Sequence, residues 1–475
     1  MIHVIIGILI FFILRFILPT DTSLGLTAAG SNVLALFLAA IYLWITVGTT
    51  WTSLGAIGLL AFTGACTAGE VFSLSFGNSV PALVICISLL SYAIKSTGVA
   101  NAIANWFITR KAVEKKPYVF LLFFMLSLTI IGFFMDIIPT TLVFLTLAQN
   151  IIDAIGYEKQ EKFSKCLYFS ILFLAAATGC ASPLGHSIPM VLLGVVESLT
   201  GIRVSYIDYI LVGLPFLIIV FVLLFLFLRY FIKPDCSKYI EFDVNTLREN
   251  IVPLNRTGKL VAVIYILTIL AWLFPDLTSS ILPAASAYVK NLGTVMPPLI
   301  AVLILCVIHI DGKPCLNYND GLKSVPWGAY IFVASTMIYS SLFTSEATGI
   351  SVFLKNLMLP LASLPTLLLI CLAGAIAIFG TSFFANILTG TVVMNAFLPV
   401  LQSVGNVSIV GFCVLITIFS NMAVLSAPGS AGIPLVLDEN SITPQETLKQ
   451  GFWLILLIFI CSMLIVYPLT QLVFA

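Results

Sequence analysis

Apolar runs long enough to cross a bilayer as helices recur along almost the whole chain, and a chain built this way cannot fold around a single water-enclosed core. Such runs stand at 2–18, 31–48, 51–66 and 79–96 in the first part of the sequence. Charged residues make up only 9% of the 475 residues, against about 25% in a soluble domain, so a water-facing surface of that size cannot be covered. The Ile2–Leu18 run carries Arg15 and lacks a basic leader, and it reads as a retained first span rather than a signal peptide.

Two further runs have the wrong length for simple spans. Tyr118–Ile152 is too long for one crossing and too short for two with a turn. It lies between the basic segments RKAVEKKP, 110–117, and GYEKQEKFSK, 156–165, and basic flanks favour the cytoplasm. A re-entrant hairpin from the cytoplasmic side fits both facts, with Asp136, Pro139, Thr140 and Thr141 at its tip. Leu167–Val196 contains ATGCASPLGHSIP, 177–189, a run of Gly, Ser, Pro and His that predicts a helix unwound in mid-membrane. A span at 206–228 follows, and then a hydrophilic loop, 229–259, with six Lys and Arg.

The second half repeats the order. Spans are expected at 260–275, 294–310 and 326–343. No charged residue occurs from Asn356 to Leu437. That stretch holds a long run, 361–402, interrupted by TSFFANILTGT, 381–391, and then Ser408–Leu437, broken at SNMAVLSAPGSAG, 420–432. The last span is expected at 451–474. Short echoes accompany the repeat: STGV, 96–99, with ATGI, 347–350, and PTT, 139–141, with LTG, 388–390. Lysine and arginine collect in the loops expected inside, which places the N-terminus in the cytoplasm and turns the second hairpin to the outer face. The predicted fold is therefore an all-α polytopic membrane protein of about eleven spans. It consists of two inverted repeats, each with a re-entrant hairpin and a broken helix, the pattern of a secondary transporter.

At these residues the chain resembles the divalent anion/sodium symporter family of the ion transporter superfamily. GCASPLGHS, 179–187, resembles that family's G-x-A-T-P-I-G-T-P segment, and VSYIDYILVGLPF, 204–216, the stretch entering its next span. FFANILTGT, 383–391, resembles the second hairpin's S-N-T-A-T-A-T, SAPGS, 426–430, the second A-T-P-P-N, and VPWGAYIF, 325–332, the opening of the later scaffold helices. The resemblance implies a scaffold, 1–117 and 233–360, and a mobile transport domain, 118–232 and 361–475, moving as an elevator in a homodimer. It also implies that hairpin tips and helix breaks bind the coupling ion and a small carboxylate, and that Asp136 and His186 come together. Where the family has S-N-T, this chain has Asp136-Ile137-Ile138 and Ala385-Asn386-Ile387, and His186 stands in place of a threonine.

The candidate substrate- and ion-binding residues are Asp136, Thr140, Thr141, Ser182, Pro183, His186, Ser187, Asn386, Thr389, Ser426, Pro428 and Ser430. A sodium ion would sit near Asp136, Gly179 and Asn386. An acid at mid-membrane depth must be paired, protonated or exposed to a water-filled site, and its structural alternative is to cap tip amides. The structural alternative for His186 is a hydrogen bond to backbone freed by the break. Pro183 and Pro428 suit shaping of the breaks, and the hydroxyl and amide groups suit substrate, ion or loop backbone. Two unit charges about 4 Å apart interact by several kcal/mol at an effective dielectric near 20. Asp136 would therefore repel a dianion unless it is neutralised or paired, or the substrate is not a dianion. Arg15, Lys95 and Arg110 lie near span ends, where long basic side chains snorkel.

Other classes are disfavoured. No HExxH, GxSxG or paired acids on one span point to an enzyme. The ten cysteines include no CxxC pair, so neither a zinc site nor a disulfide framework is expected. The net charge of +1 implies no nucleic-acid partner. The expected partners are a small anionic substrate and the lipid of the cell membrane, with no cofactor and with Na⁺ or H⁺ as coupling ion. The alternative is a proton-coupled carrier of the same fold for a monovalent or non-anionic substrate.

Overall fold

A chain this apolar has to satisfy its own backbone hydrogen bonds, and helices do so within each segment. The computed structural model describes residues 2–19, 25–184, 186–244, 246, 253–358, 360, 363–426, 429–430, 432–437, 439 and 441–475. Among them the only sheet is a two-stranded turn, His309–Ile310 with Lys313–Pro314. The first half holds α1 (Ile2–Ile17), α2 (Ala28–Thr46), α3 (Thr50–Leu60), α4 (Ala68–Leu74), α5 (Ser79–Ser96), α6 (Val99–Ile108), α7 (Pro117–Phe134), α8 (Ile137–Ile155), α9 (Lys162–Ala181), α10 (Ser187–Thr200), α11 (Tyr206–Phe227) and α12 (Ser237–Glu241). The second holds α13 (Arg256–Thr278), α14 (Pro283–Leu292), α15 (Met296–Val307), α16 (Tyr318–Lys323), α17 (Trp327–Thr344), α18 (Ile350–Met358), α19 (Thr366–Gly380), α20 (Asn386–Val404), α21 (Ile409–Ser420), α22 (Gly432–Leu437) and α23 (Pro444–Val473).

Eight described helices are long and apolar enough to cross a membrane, or nine if α14 and α15, bent by 75° at their junction, count as one. Both α7 and α8 pass this test, so length alone does not separate a re-entrant hairpin from two crossings. Their packing shows that they run antiparallel. Phe124 and Phe144 meet edge to face, 5.5 Å between ring centroids. At the open end Tyr239 donates its hydroxyl to the Val113 carbonyl at 3.0 Å, and its own amide reaches the Tyr157 hydroxyl at 3.3 Å. The segment thus leaves and returns at one place. Beside it Lys238 pairs with Glu161 at 2.6 Å, and that hydrogen bond holds the Glu161 carboxyl below the ordinary carboxylate range.

The final helix, α23, orders the two halves. Its 30 residues span roughly 45 Å at the α-helical rise. Near its start Glu446 pairs with Lys165 at the beginning of α9. Near its end Gln471 accepts from the Ser408 amide at 2.8 Å, just before α21. The two broken helices, α9–α10 and α21–α22, therefore start from opposite ends of one long helix. α23 begins at Pro444 rather than at the expected 451 because Thr443 and Glu446 form a capping box there.

Several expectations change. The first break is confined to Ser182–His186, and Gly179 lies inside α9, which runs on to Ala181. In the second hairpin only Thr381–Ala385 leaves the helix, so Thr389 belongs to α20. The expected span 294–310 is shorter, and α14 precedes it at a sharp bend. The short helices α6 and α18 were not anticipated. Each starts just after a left-handed glycine, Gly98 or Gly349, at the STGV and ATGI echoes.

The helix that ends at the first break exposes its last carbonyls, and α11 covers them. Tyr209 donates its hydroxyl to the Cys180 carbonyl at 2.8 Å. One turn on, a Cβ at Gly213 would lie 2.5 Å from the Ala181 carbonyl oxygen. Tyr209→Phe should therefore cost about 1–2 kcal/mol, and Gly213→Ala more, because backbone rather than a flexible side chain blocks the space. Thermal unfolding in detergent checks both; a melting temperature unchanged in Gly213→Ala would contradict this packing.

Around α9 pack α7, α8 and α11, and α21 packs on α10, α19, α20 and α23. A second group joins α2, α3, α5 and α13 with α15–α17. The groups meet chiefly where α10 lies on α5 and α17, where α20 lies on α17 and where α11 lies on α13.

Candidate functional site

A cavity of about 990 Å³ lies at that junction. One wall is formed by the tips and breaks: Asp136–Pro139 and Leu142 at the start of α8, Ser187, Ile188 and Val191 of α10, Ala385–Ile387 at the start of α20, and Gly429 and Ser430 of the second break. The other wall is α5, α16 and α17, with Ser88, Ser91, Lys95 and Phe332 among the residues facing in. Asp136, Ser187, Asn386 and Ser430 are the sequence candidates that line it.

Asp136 and Ser187 form the centre of the part of this wall built by α8 and α10. Asp136 occupies the N-cap position of α8, yet its side chain does not cap that helix. Its Oδ2 instead accepts from the Ser187 amide at 3.1 Å and the Ser187 hydroxyl at 2.9 Å. It so caps α10 from another helix, where a carboxylate suits the positive end of the dipole. The N-cap residue of α10 itself, His186, makes no side-chain cap. Its buried ring donates Nε2–H to the Gly132 carbonyl at 2.5 Å. Asp136 and His186 come close enough to act on each other by charge, but their hydrogen bonds go to different partners and make two separate ties between hairpin and break. The neighbouring tip carbonyl, that of Phe134, accepts from Tyr265 of α13.

The part built by the start of α20 and the second break is held by amides and hydroxyls. Asn386 donates to Asn421 Oδ1 at 3.1 Å, and Asn421 Nδ2 donates to the Gly179 carbonyl at 2.7 Å. This relay joins the second hairpin tip to the second break and then to α9. Asn386 Oδ1 is buried without a partner among the described residues. Thr381 donates to the Ser420 carbonyl and Ser426 to the Ser382 carbonyl. Ser382 Oγ accepts from Val424 and Leu425 at 3.4 and 3.3 Å.

The other candidates lie off the cavity. Thr140 donates to the Met135 carbonyl at 3.2 Å and Thr389 to that of Ala385 at 3.2 Å. Ser182 accepts from the Leu184 amide at 3.1 Å, and Pro183 is buried within the break. Thr141 lines, with Ser430, a separate void of about 10 Å³, large enough for about one water-sized occupant. Pro428 lies outside the described residues.

Sequence reasoning missed Ser382, Asn421, Gly429 and the α5 face. Ser88, Ser91 and Lys95 fall three and four residues apart, which places them on one side of the helix, and this spacing could have marked them. Lys95, expected to snorkel, lines the cavity, whereas Arg110 lies over the Trp106 ring at 3.4 Å.

Residues 38–410 match the family described as citrate transporter. An uncharacterized transporter of Haemophilus influenzae is 23% identical over 95% of this chain and 93% of its own. The sodium-dependent dicarboxylate transporters SdcS of Staphylococcus saprophyticus and Staphylococcus aureus are 20% and 22% identical, over 98% of this chain and 91% and 90% of theirs. These are transporters and not enzymes, as the sequence led us to expect, and the match agrees with the resemblance to divalent anion/sodium symporters. The length of the match, together with the many apolar helices, shows that this multi-pass membrane protein belongs to the citrate transporter family.

Proposed function

We propose that the protein is an ion-coupled elevator-type carrier that moves a small organic carboxylate across the cell membrane as a homodimer, with its N-terminus in the cytoplasm. The observation that carries this reading is the placement of the cavity between the hairpin tips and helix breaks on one side and α5, α16 and α17 on the other. Helices α8 and α20 both begin at this cavity, and the free amides at a helix N-terminus suit an anion. In this reading α7–α11 and α19–α23 are the moving part, and the remaining helices are the scaffold. The start of α9 and the start of α21 at opposite ends of α23 support inverted repeats. The sodium dependence named for the staphylococcal relatives, with the unpartnered Asn386 Oδ1, favours sodium as the coupling ion. A second reading, proton coupling, is favoured by the single acid on the moving wall, Asp136.

Purified protein in liposomes, offered a panel of labelled mono-, di- and tricarboxylates with sodium and proton gradients imposed separately, tests this. Uptake driven by a sodium gradient is expected. Uptake driven by a proton gradient alone would favour the second reading, and failure to move any organic carboxylate under either gradient would refute the function.

A further inference from the structure

The cavity lining is electrically uneven. Of its charged residues, Asp320 and Lys323 pair with each other at 2.8 Å. Asp136 and Lys95 face the cavity from opposite walls, and neither has an ion-pair partner among the described residues. The two halves of the moving wall differ in the same way. In the first repeat the α10 N-terminus is already occupied by Asp136 Oδ2, through the amide and hydroxyl of Ser187. Asp136 Oδ1 has no hydrogen-bond partner among the described residues. In the second repeat the residue at the equivalent point, the N-cap of α20, is the uncharged Ala385.

We propose that Asp136 is a specificity determinant: it fills the first anion position with a carboxylate of the protein, so that the preferred substrate is a monocarboxylate bearing a hydrogen-bond donor at its far end. The carboxylate of such a substrate turns to the second-repeat half and Lys95. Its donor, a hydroxyl or an ammonium group, reaches Asp136 Oδ1. A dicarboxylate would bring a second negative group against Asp136, and like charges at contact distance disfavour binding. A monocarboxylate with no donor would leave Oδ1 without a partner in a partly desolvated site. This rests on the carboxylate-carrier function proposed above and narrows its substrate class away from the dicarboxylates named for the staphylococcal relatives.

Four probes of equal chain length separate the cases: succinate, butyrate, 4-hydroxybutyrate and 4-aminobutyrate. Each is offered to the wild-type carrier in liposomes and its KM measured. The expected result is a KM at least about tenfold lower for 4-hydroxybutyrate or 4-aminobutyrate than for succinate and butyrate, the discrimination of one satisfied polar contact; which of the two is better tells a neutral from a charged donor. Asp136→Asn keeps an acceptor for Ser187 and removes the charge, and it should shift the succinate to 4-aminobutyrate preference toward succinate by a similar factor. Lys95→Gln should raise KM for all carboxylates alike and leave the preference in place. Succinate as the best wild-type substrate, or a preference unmoved by Asp136→Asn in protein that still transports, would overturn the inference while leaving the carboxylate carrier intact. Wild-type protein that moves no organic carboxylate would overturn both.

Discussion

Gly429→Ala is expected to abolish transport while leaving the protein folded in the membrane. Gly429 lies where the second break crosses the second hairpin tip. A Cβ there would sit 2.7 Å from the Ser382 carbonyl oxygen and 2.8 Å from Ser382 Cα and the Thr381 carbonyl oxygen. All three are backbone atoms, so no side-chain rotation makes room, and the break has to move away from the tip. The ties between them form a group: Thr381 to Ser420, Ser426 to Ser382, and Val424 and Leu425 to the Ser382 hydroxyl. Overpacking of this kind costs about 1–3 kcal/mol, and more where backbone must shift. The same displacement would carry Gly429 and Ser430 out of the cavity wall. Transport should fall by roughly a hundredfold, given that misplacement by about 1 Å can cost that much in a preorganised site. Gly55→Ala, where a Cβ meets nothing within 4 Å, is the matched control. Initial uptake rates, normalised to monodisperse protein, check the pair. Near-normal uptake by Gly429→Ala would mean that the tip does not need this close approach.

Asn386→Ala should remove both transport and the protein's response to sodium. Asn386 is only 3% exposed. Its amide nitrogen serves Asn421 Oδ1 at 3.1 Å and the Asn421 carbonyl at 3.4 Å. Removing it strands these acceptors in a buried site at a cost of about 1–3 kcal/mol, and it loosens Asn421, whose own amide holds the Gly179 carbonyl. It also removes Oδ1, which is buried without a partner among the described residues and is the ligand proposed above for the coupling ion. A ligand that binds only the folded state raises its stability by mass action. Sodium should therefore raise the wild-type melting temperature relative to potassium, and this difference should vanish in Asn386→Ala. Asn386→Asp should not restore transport, since it places an acceptor where Asn421 Oδ1 needs a donor. A sodium-dependent shift that persists in Asn386→Ala would place the coupling ion elsewhere.

Much of the architecture was legible in one dimension. Hydropathy and length marked the helices, because a membrane leaves the backbone few other options. Composition marked both breaks: Ser182–Pro183 and the 421–431 segment fall inside runs otherwise apolar enough to continue. The STGV and ATGI echoes carried more than their brevity suggested, since each places a left-handed glycine before a short helix and ahead of a hairpin. Gly156 and Gly405, both left-handed, end α8 and α20 in the same way. Left-handed backbone costs an L-residue with a Cβ but not glycine, so turn positions of this kind are written into the sequence.

What the sequence by itself determined is therefore the class: a helical membrane transporter with paired interruptions, an acid and a histidine in the first pair, and an amide in the second. Only the tertiary structure decided what those groups do. Asp136 and Ser187 are 51 residues apart and Asn421 and Gly179 are 242 apart, so no local pattern predicts their hydrogen bonds. His186 lies beside Ser187 in sequence, yet it turns to Gly132 while Ser187 turns to Asp136. Lys95 is at a helix end in the sequence and on a cavity wall in space. Helix formation follows from local backbone chemistry and the solvent around it, whereas the direction of a buried polar side chain is set by which unsatisfied partner the packing of distant helices brings within reach.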